Sequence, residues 1–294
     1  MRLVLLLLCT LAISGCVRHL GAPEGEPPAL PDFDVTMIED RVYTPDDWPQ
    51  ALHADIYRPE PPGRYPTVLM VHGGGWERRS PEDTAGLARQ LAEQGFVVVN
   101  IEYRFAPEYT FPAQLHDLQM AMRWLHVHAD DYGIDRSRVG AWGYSSGAHL
   151  VTLLATVAAD TDSPLNEPYG GPVTRPRAVV AGGTPTDLRK FEGGTLVPQF
   201  LGGPQESNAA IYAAASPVTH VGADTPPHLL YHGTLDSVVP VDHAEDYRTA
   251  LNANGVDNEL LLLRGKGHVA AFLFGGAAEE AGAAFLARTL TPAH

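Results

Sequence analysis

The sequence contains very little cysteine. Cys9 and Cys16 are the only two among 294 residues, and both lie near the amino terminus. Beyond residue 16 the chain therefore has no thiol for a disulfide, and an oxidising compartment poses no hazard to it. This excludes the class of small proteins that disulfides hold together.

Basic residues are scarce as well. The chain has 20 Lys and Arg against 35 Asp and Glu, which gives a formal net charge of −15, and it has no basic run. Binding to nucleic acid or to anionic membrane surfaces depends on clustered positive charge. We therefore expect no nucleic-acid partner, while the charge alone identifies no substrate.

Long apolar runs are also missing. Residues 3–13 are largely apolar, but a transmembrane helix needs about 20 such residues, so this run is too short to span a bilayer. It suits the hydrophobic region of a secretory signal peptide, with Arg2 as the positive residue before it.

The run ISGC at residues 13–16 resembles the lipobox of bacterial lipoproteins. This resemblance implies that Cys16 becomes the first residue of the mature protein and is acylated, which makes membrane lipid a partner. Val17 stands where an aspartate would resemble an inner-membrane retention signal. We therefore expect a lipid-anchored protein of the bacterial cell envelope, at the outer membrane. The alternative is an ordinary secretory signal with an unrelated cysteine.

The chain divides into three predicted parts. Residues 1–15 are the lipoprotein signal peptide, and residues 16–31, rich in Pro, Gly and Glu, are a flexible tether. Residues 32–294 form one domain, which is long enough to bury a sizeable core.

Strand and helix patterns alternate along this domain. Two segments of alternating polarity and six buried runs predict eight strands, at residues 35–39, 52–58, 67–71, 96–101, 139–142, 178–181, 228–231 and 259–263. Helices are predicted at residues 81–94, 112–130, 146–158, 241–254 and 276–290. This alternation predicts an α/β fold with a mostly parallel eight-stranded sheet flanked by helices. Only residues 183–225 separate the sixth and seventh strands, so we expect a minimal lid and an open site.

The most informative motif is GYSSG at residues 143–147, the only G-x-S-x-G in the sequence. A buried strand precedes it and a helix follows. A serine on such a sharp turn has a strained backbone, and glycines flank it because side chains there would clash. The turn would expose the Ser145 hydroxyl and aim the Ser146 amide at a developing oxyanion. Taken alone, the pentapeptide is equally compatible with a simple turn into a helix.

A second motif, HGGGW at residues 72–76, follows the third predicted strand. Together, the two motifs and the order Ser, Asp, His resemble the HGGG-type esterases of the α/β-hydrolase superfamily, a branch that includes hormone-sensitive-lipase-like and feruloyl-esterase-like bacterial enzymes. The resemblance implies the α/β-hydrolase fold, with residues 32–294 as its catalytic domain. It also implies an oxyanion hole formed by Gly74, Gly75 and Ser146.

A serine nucleophile needs a base and a carboxylate that orients it. His268, in a glycine-rich loop after the last strand, is the predicted base. Asp236 follows the seventh strand, as the acid of the family does; the alternatives are Asp187 and Asp242. The catalytic residues are therefore predicted to be Ser145, Asp236 and His268.

Other histidines and polar residues have structural interpretations. His72 and His232 are expected to tie loops by hydrogen bonds, and His149 to be packed in the core. Arg104 and Asp117 are expected to pair inside the fold. His126 and His128 are two residues apart on a helix and do not share a face, so no metal site is predicted.

The resemblance implies a serine carboxylesterase that acts on small-molecule esters through an acyl-enzyme and needs no cofactor. Trp76 and Tyr144 are expected to line the mouth and to favour short-chain or aromatic acyl groups, and sugar esters are plausible substrates. Two alternatives remain: an arylformamidase or other amidase of the same fold, and a non-catalytic binding lipoprotein. The sequence leaves the oligomeric state open.

Overall fold

The computed structural model describes residues 17–290, so the predicted signal peptide and Cys16 lie outside the described residues. The strands are β1 (Val17–Leu20), β2 (Val35–Val42), β3 (His53–Pro59), β4 (Tyr65–Val71), β5 (Val97–Ile101), β6 (Ile134–Tyr144), β7 (Val179–Gly182), β8 (His228–Gly233) and β9 (Asn258–Leu263). The α-helices are α1 (Ala85–Glu93), α2 (Ala113–Val127), α3 (Ala129–Tyr132), α4 (Ser146–Ala159), α5 (Leu196–Leu201), α6 (Gln205–Ala214), α7 (Asp242–Ala253), α8 (His268–Leu273) and α9 (Gly276–Leu290).

All of the described strands belong to one sheet, in the order β1-β9-β8-β7-β6-β4-β5-β3-β2. The six central strands from β9 to β5 are parallel, whereas β1, β3 and β2 pair antiparallel with their neighbours. This confirms the predicted α/β-hydrolase fold with its mostly parallel sheet. The carboxyl ends of the parallel strands meet along one edge of the sheet, where sites in such folds form.

Helices cover both faces of the sheet. On one face α2, α4 and α7 bury apolar side chains such as Leu118, Leu150 and Leu251. On the other face α1 and α9 do the same with residues such as Leu91 and Leu286. The central strands are buried on both sides, which explains why their sequences are mostly apolar instead of alternating.

The expected tether is partly wrong, because residues 17–20 form β1, a ninth strand. Val17 lies opposite Leu263 in an antiparallel ladder, and the His19 ring bonds to Glu259 at 2.8 Å. The reason is that β9 has a free edge whose backbone groups accept a further strand. Residues 21–34 form neither helix nor strand, and a flexible tether there stays a prediction.

A buried ion pair fixes the chain after β5, as predicted. The Arg104 guanidinium contacts the Asp117 carboxylate on α2 at 2.8 Å, and both side chains are almost fully buried. Trp48 and the Arg104 amide also donate to this carboxylate. Between residues 17 and 290, no helix has the length and apolar character needed to cross a membrane.

Candidate active site

Ser145 lies on the turn between β6 and α4, in a strained conformation with φ +54° and ψ −122°. A Cβ on Gly143 would lie 2.4 Å from the Gly147 carbonyl carbon, and one on Gly147 would lie 2.2 Å from the Val71 oxygen. Both contacts are too close for any side chain. The two glycines are therefore required for the turn, as the motif predicted, and the turn lifts the Ser145 hydroxyl above the sheet edge.

The structure brings Ser145, His268 and Asp236 together. The Ser145 Oγ lies 2.8 Å from Nε2 of His268, and the His268 Nδ1 lies 2.6 Å from an Asp236 carboxylate oxygen. Since the carboxylate accepts from Nδ1–H, Nε2 is free to accept from the serine hydroxyl. Three residues far apart in the sequence meet because each follows the carboxyl end of a strand: β6, β8 and β9.

The Asp236 carboxylate is held by several donors. The amides of Val238 and Val239 each donate to one of its oxygens at 2.9 Å, and the His232 Nε2 lies 3.4 Å from the other. Burial alone would raise the pKa of this carboxyl, but the hydrogen bonds from His232, His268 and Val239 outweigh it and hold the pKa well below its usual range. Asp236 is therefore ionised at neutral pH and fixes the orientation of the His268 ring.

His232 was predicted to tie a loop, and it does. Its Nε2–H donates to the Val239 carbonyl oxygen at 2.8 Å and closes the loop that contains Asp236. The additional contact with the Asp236 carboxylate was not foreseen from the sequence. A histidine near the end of a strand and an aspartate four residues later carry no signal of their own, because the contact depends on how the loop turns.

The glycine loop after β4 provides free backbone donors. Gly74 has φ +124° and Gly75 has φ +65°, and a Cβ on Gly74 would lie 2.0 Å from the Arg78 oxygen. Within residues 17–290, no protein acceptor bonds to the amides of Gly74, Gly75 or Ser146. Ser146 is also the first residue of α4, so its amide lies at the helix N-terminus, where the helix dipole favours negative charge.

A cavity of about 200 Å³ opens beside these groups. Gly75, Ser145 and Ser146 line one side of it, whereas Gly74 is not among its lining residues. The other walls are mostly apolar. They come from Trp76, from Pro185 and from two segments, residues 191–197 before and within α5 and residues 238–239 after Asp236. The short insertion between β7 and β8 thus supplies one wall of the cavity.

Trp76 lines this cavity, as expected, and contacts with neighbouring residues hold its side chain in place. Its side chain is buried, its ring stacks on Phe200 with centroids 4.6 Å apart, and its Nε1–H donates to the His149 Nδ1 at 3.2 Å. The His149 Nε2–H in turn donates to the Ala215 oxygen at 2.7 Å. These contacts stabilise a tryptophan whose φ of +62° is unusual for a residue other than glycine.

Tyr144 does not line this cavity, contrary to expectation. Side chains alternate along a strand, so Tyr144 points to the same face of the sheet as Trp142, away from the mouth. Its hydroxyl donates to the His268 carbonyl oxygen at 2.5 Å, and its ring packs against Phe272. It lines a second cavity, of about 180 Å³, behind α8.

The alternative acids have other partners. Asp187 pairs with the Arg189 guanidinium at 2.7 Å and also accepts from the Arg189 amide at the start of a short helical turn. Asp242 pairs with Lys190 at 2.7 Å. The remaining histidine at a strand end, His72, bonds through Nδ1 to the Gly73 oxygen at 2.6 Å. Asp187 and Asp242 thus pair with cations, and Asp236 is the carboxylate that contacts His268. His72 makes a loop hydrogen bond, as predicted.

The arrangement has the parts that acyl transfer to a serine requires. It has a hydroxyl, a base within hydrogen-bond distance, a carboxylate that orients the base, and free amides beside the hydroxyl. An apolar cavity of limited size adjoins them. These parts are contributed by loops at one edge of the sheet.

Comparisons with known proteins agree with this geometry. The chain is 32% identical over 210 residues to the probable carboxylic ester hydrolase LipM of Mycobacterium tuberculosis, covering 67% of this chain and 48% of that protein. It is 31% identical over 227 residues to the esterase LipC of the same organism, covering 72% and 55%. The chain thus spans about half the length of the curated relatives it matches.

A solved structure is similar over nearly the whole chain. Thermogutta terrifontis esterase 2, phosphoramylated by tabun, superimposes with a TM-score of 0.72 at 26% identity, covering 90% of this chain and 98% of that one. The sequence model of the BD-FAE family matches residues 54–251. That match contains β3 to β8, the glycine loop, Ser145 and Asp236, and it covers more than half of the chain, which therefore belongs to the BD-FAE family.

Proposed function

We propose that the protein is a serine carboxylesterase that hydrolyses small-molecule esters through an acyl-enzyme. The observation that carries this proposal is the continuous hydrogen-bond chain from the Ser145 hydroxyl through His268 to Asp236, at 2.8 and 2.6 Å. The family and the relatives named as ester hydrolases support it. A binding function would not require this arrangement of serine, histidine and aspartate.

In the first half of the reaction, the Ser145 oxygen attacks the ester carbonyl carbon while His268 Nε2 takes its proton. Asp236 stabilises the imidazolium that forms. The amides of Gly75 and Ser146, with Gly74 as the third candidate donor, bind the developing oxyanion; each such donor typically contributes about 3 kcal/mol to the transition state. The C–O bond then breaks, and His268 gives its proton to the leaving alcohol.

In the second half, water attacks the acyl-enzyme. His268 takes a proton from the water, the oxyanion forms again at the same amides, and the Ser145 oxygen leaves with the proton from His268. The carboxylic acid is released and the free serine is restored. Each proton is transferred through His268 Nε2, so the catalytic cycle requires no metal or organic cofactor.

The substrate proposal follows from the cavity. Phe191, Leu196 and Val238 give it mostly apolar walls beside Ser145, and about 200 Å³ suits a short aliphatic or an aromatic acyl group. Sugar esters such as acetylated or feruloylated polysaccharides fit this acyl preference. The alcohol side of the ester would then extend into solvent.

The experiment compares a nitrophenyl acetate with an N-formyl anilide, using the full-length protein and its Ser145→Ala variant. We expect rapid turnover of the ester, slow turnover of the anilide, and loss of ester turnover in the variant with little change in the thermal transition. A higher kcat/KM for the anilide would instead identify an arylformamidase. No turnover of either compound would contradict the esterase proposal and favour the non-catalytic binding lipoprotein.

We also propose that Cys16 is acylated and that the protein is anchored to the bacterial cell envelope, at the outer membrane. The support is the short apolar run followed by ISGC and valine. The intact mass of protein extracted from membranes tests this. We expect acyl chains on Cys16 in the native chain, and none, with release from membranes, in Cys16→Ser. A mature mass without acyl chains would contradict the anchor.

A further inference from the structure

Val17, the first described residue, lies at the end of the sheet where the parallel strands have their carboxyl ends. Ser145 lies at the same end. Because β1 runs antiparallel to β9, with Val17 opposite Leu263 and Leu20 opposite Leu260, the chain enters β1 beside the carboxyl end of β9. From β1 to β6 there are four strand spacings, roughly 20 Å across the sheet. The chain therefore enters the described part of the domain, at Val17, on the side of the sheet where the mouth of the site lies.

Large apolar side chains are exposed at this same corner. Leu235, Val269, Leu273 and Phe274 are between 61% and 69% exposed, and together we call them the apolar corner. Val269 and Leu273 lie one turn apart on α8, so they share a face. Clustered exposure of this kind on a soluble domain marks an interaction surface.

Backbone contacts show that the members of the apolar corner are neighbours. The Leu235 amide donates to the Lys266 carbonyl oxygen at 2.9 Å, and the Lys266 ammonium donates to the Phe274 carbonyl oxygen. The loop with Leu235 also contains Asp236, and α8 begins at His268. The apolar corner thus borders two of the three proposed catalytic residues.

The charge of this region differs from that of the whole chain. The segments 17–20, 233–241 and 264–276 contain Arg18, Arg264 and Lys266, and their single acid, Asp236, is buried. The rest of the chain is strongly acidic, with 35 acidic against 20 basic residues in total. Asp83 and Glu279 line the second cavity together with Leu273, so both cations and acids border the apolar side chains. Apolar side chains with such a mixed polar border suit a lipid surface with zwitterionic headgroups.

We propose that the apolar corner docks on a lipid surface, with the mouth of the site facing that surface. The entry of the chain into β1 and the exposed apolar side chains are independent observations that indicate the same face. Docking itself requires no catalysis, whereas its consequence, faster turnover of esters that partition into lipid, rests on the proposed esterase function.

Photocrosslinking tests the orientation. Full-length protein purified from membranes is reconstituted in phosphatidylcholine vesicles, with p-benzoylphenylalanine in place of Phe274 or, as a matched control, of Val127. Val127 is 73% exposed but ends α2, toward the amino ends of the parallel strands. We expect lipid adducts at position 274 and none at 127. No lipid adduct at 274, equal adducts at both positions, or a crosslink to a second copy of the chain would overturn the proposal.

Turnover provides the second readout. We compare the Leu273→Ser/Phe274→Ser double variant with Val127→Ser on an ester embedded in vesicles and on water-soluble nitrophenyl acetate. Docking predicts that the double variant loses about tenfold in the rate on the embedded ester, with unchanged turnover of the soluble one. Equal rates of the two variants on the embedded ester contradict docking. If the parent protein hydrolyses neither ester, the esterase proposal fails, while the crosslinks still decide the docking surface.

Discussion

The Tyr144 hydroxyl donates a hydrogen bond to the carbonyl oxygen of His268 at 2.5 Å, and the two rings lie 5.2 Å apart. Tyr144 is the last residue of β6 and immediately precedes Ser145, so this contact joins the strand before Ser145 to the first residue of α8. Asp236 orients the His268 ring, whereas Tyr144 fixes the backbone on which the ring is carried. We therefore predict that Tyr144 acts as a positioning residue, since it does not line the mouth.

We expect Tyr144→Phe to lower kcat by about fivefold, the value of one hydrogen bond of about 1 kcal/mol, with KM nearly unchanged. The ring and its packing against Phe272 are retained, so the change acts only on the His268 backbone. Steady-state kinetics with nitrophenyl acetate measures both constants. Tyr231→Phe is the matched control, because Tyr231 lines the same second cavity but its hydroxyl bonds to Trp142. Equal effects of the two substitutions would contradict the positioning role.

The apolar cavity predicts a limit on acyl length. For each methylene that enters it, kcat/KM should rise by about fourfold, since burial of one methylene contributes about 0.8 kcal/mol. Beyond the volume of the cavity the rise should stop and reverse. A series of nitrophenyl esters from acetate to decanoate measures this profile.

Leu196→Ala should move the optimum of that profile to longer acyl groups. The Leu196 side chain lies 3.1 Å from the position that a Cβ on Gly75 would occupy, so it closes the cavity beside the glycine loop after β4. Leu87→Ala enlarges the second cavity by the same number of atoms and serves as the control. An unchanged optimum in Leu196→Ala, or the same shift in Leu87→Ala, would show that acyl groups bind elsewhere.

Acid should destabilise the fold through His149. Burial lowers the pKa of His149 to about 4, below the value of about 6.5 in an unfolded chain. Between these values the unfolded state binds more protons, so the free energy of unfolding falls as the pH falls, by at most about 1.4 kcal/mol per pH unit for this group. The loss should begin near pH 6.5 and end near pH 4.

The physical cause is visible in the contacts of His149. The neutral ring accepts from Trp76 and donates to Ala215, and a protonated ring has no acceptor left for the Trp76 N–H. We expect His149→Gln to be less stable at pH 7 but to lose less stability on acidification. Urea unfolding at pH 7 and pH 5 measures the difference. Equal pH dependence in the variant and the parent protein would contradict the pKa argument.

Much of the fold could be predicted from the sequence, for local reasons. Buried strands such as β4 and β5 are mostly apolar runs, and α9 has the bounds predicted for it. The pairing of Ser145, His268 and Asp236 followed from their order and their places after strands. These features depend on short stretches of sequence or on a motif whose backbone requirements are strict.

The features that the sequence did not reveal depend on long-range contacts. β1 has only four residues and gains its structure from the free edge of β9, 240 residues later. The direction of Tyr144 depends on the register of β6, and the cavity walls come from residues 191–197 and 238–239, which are distant in sequence. Neither the periodicity of apolar residues nor a short sequence motif predicts such contacts.

Covalent labelling tests the central claim most directly. The parent protein, Ser145→Ala and His268→Ala are treated with a fluorophosphonate at neutral pH, and the adducts are located by mass spectrometry of peptides. The geometry predicts one adduct, on Ser145, that is absent in Ser145→Ala and forms far more slowly in His268→Ala because the hydroxyl has lost its base. No adduct on the parent protein, or an adduct on another residue that persists in Ser145→Ala, would contradict the claim that Ser145 is the nucleophile.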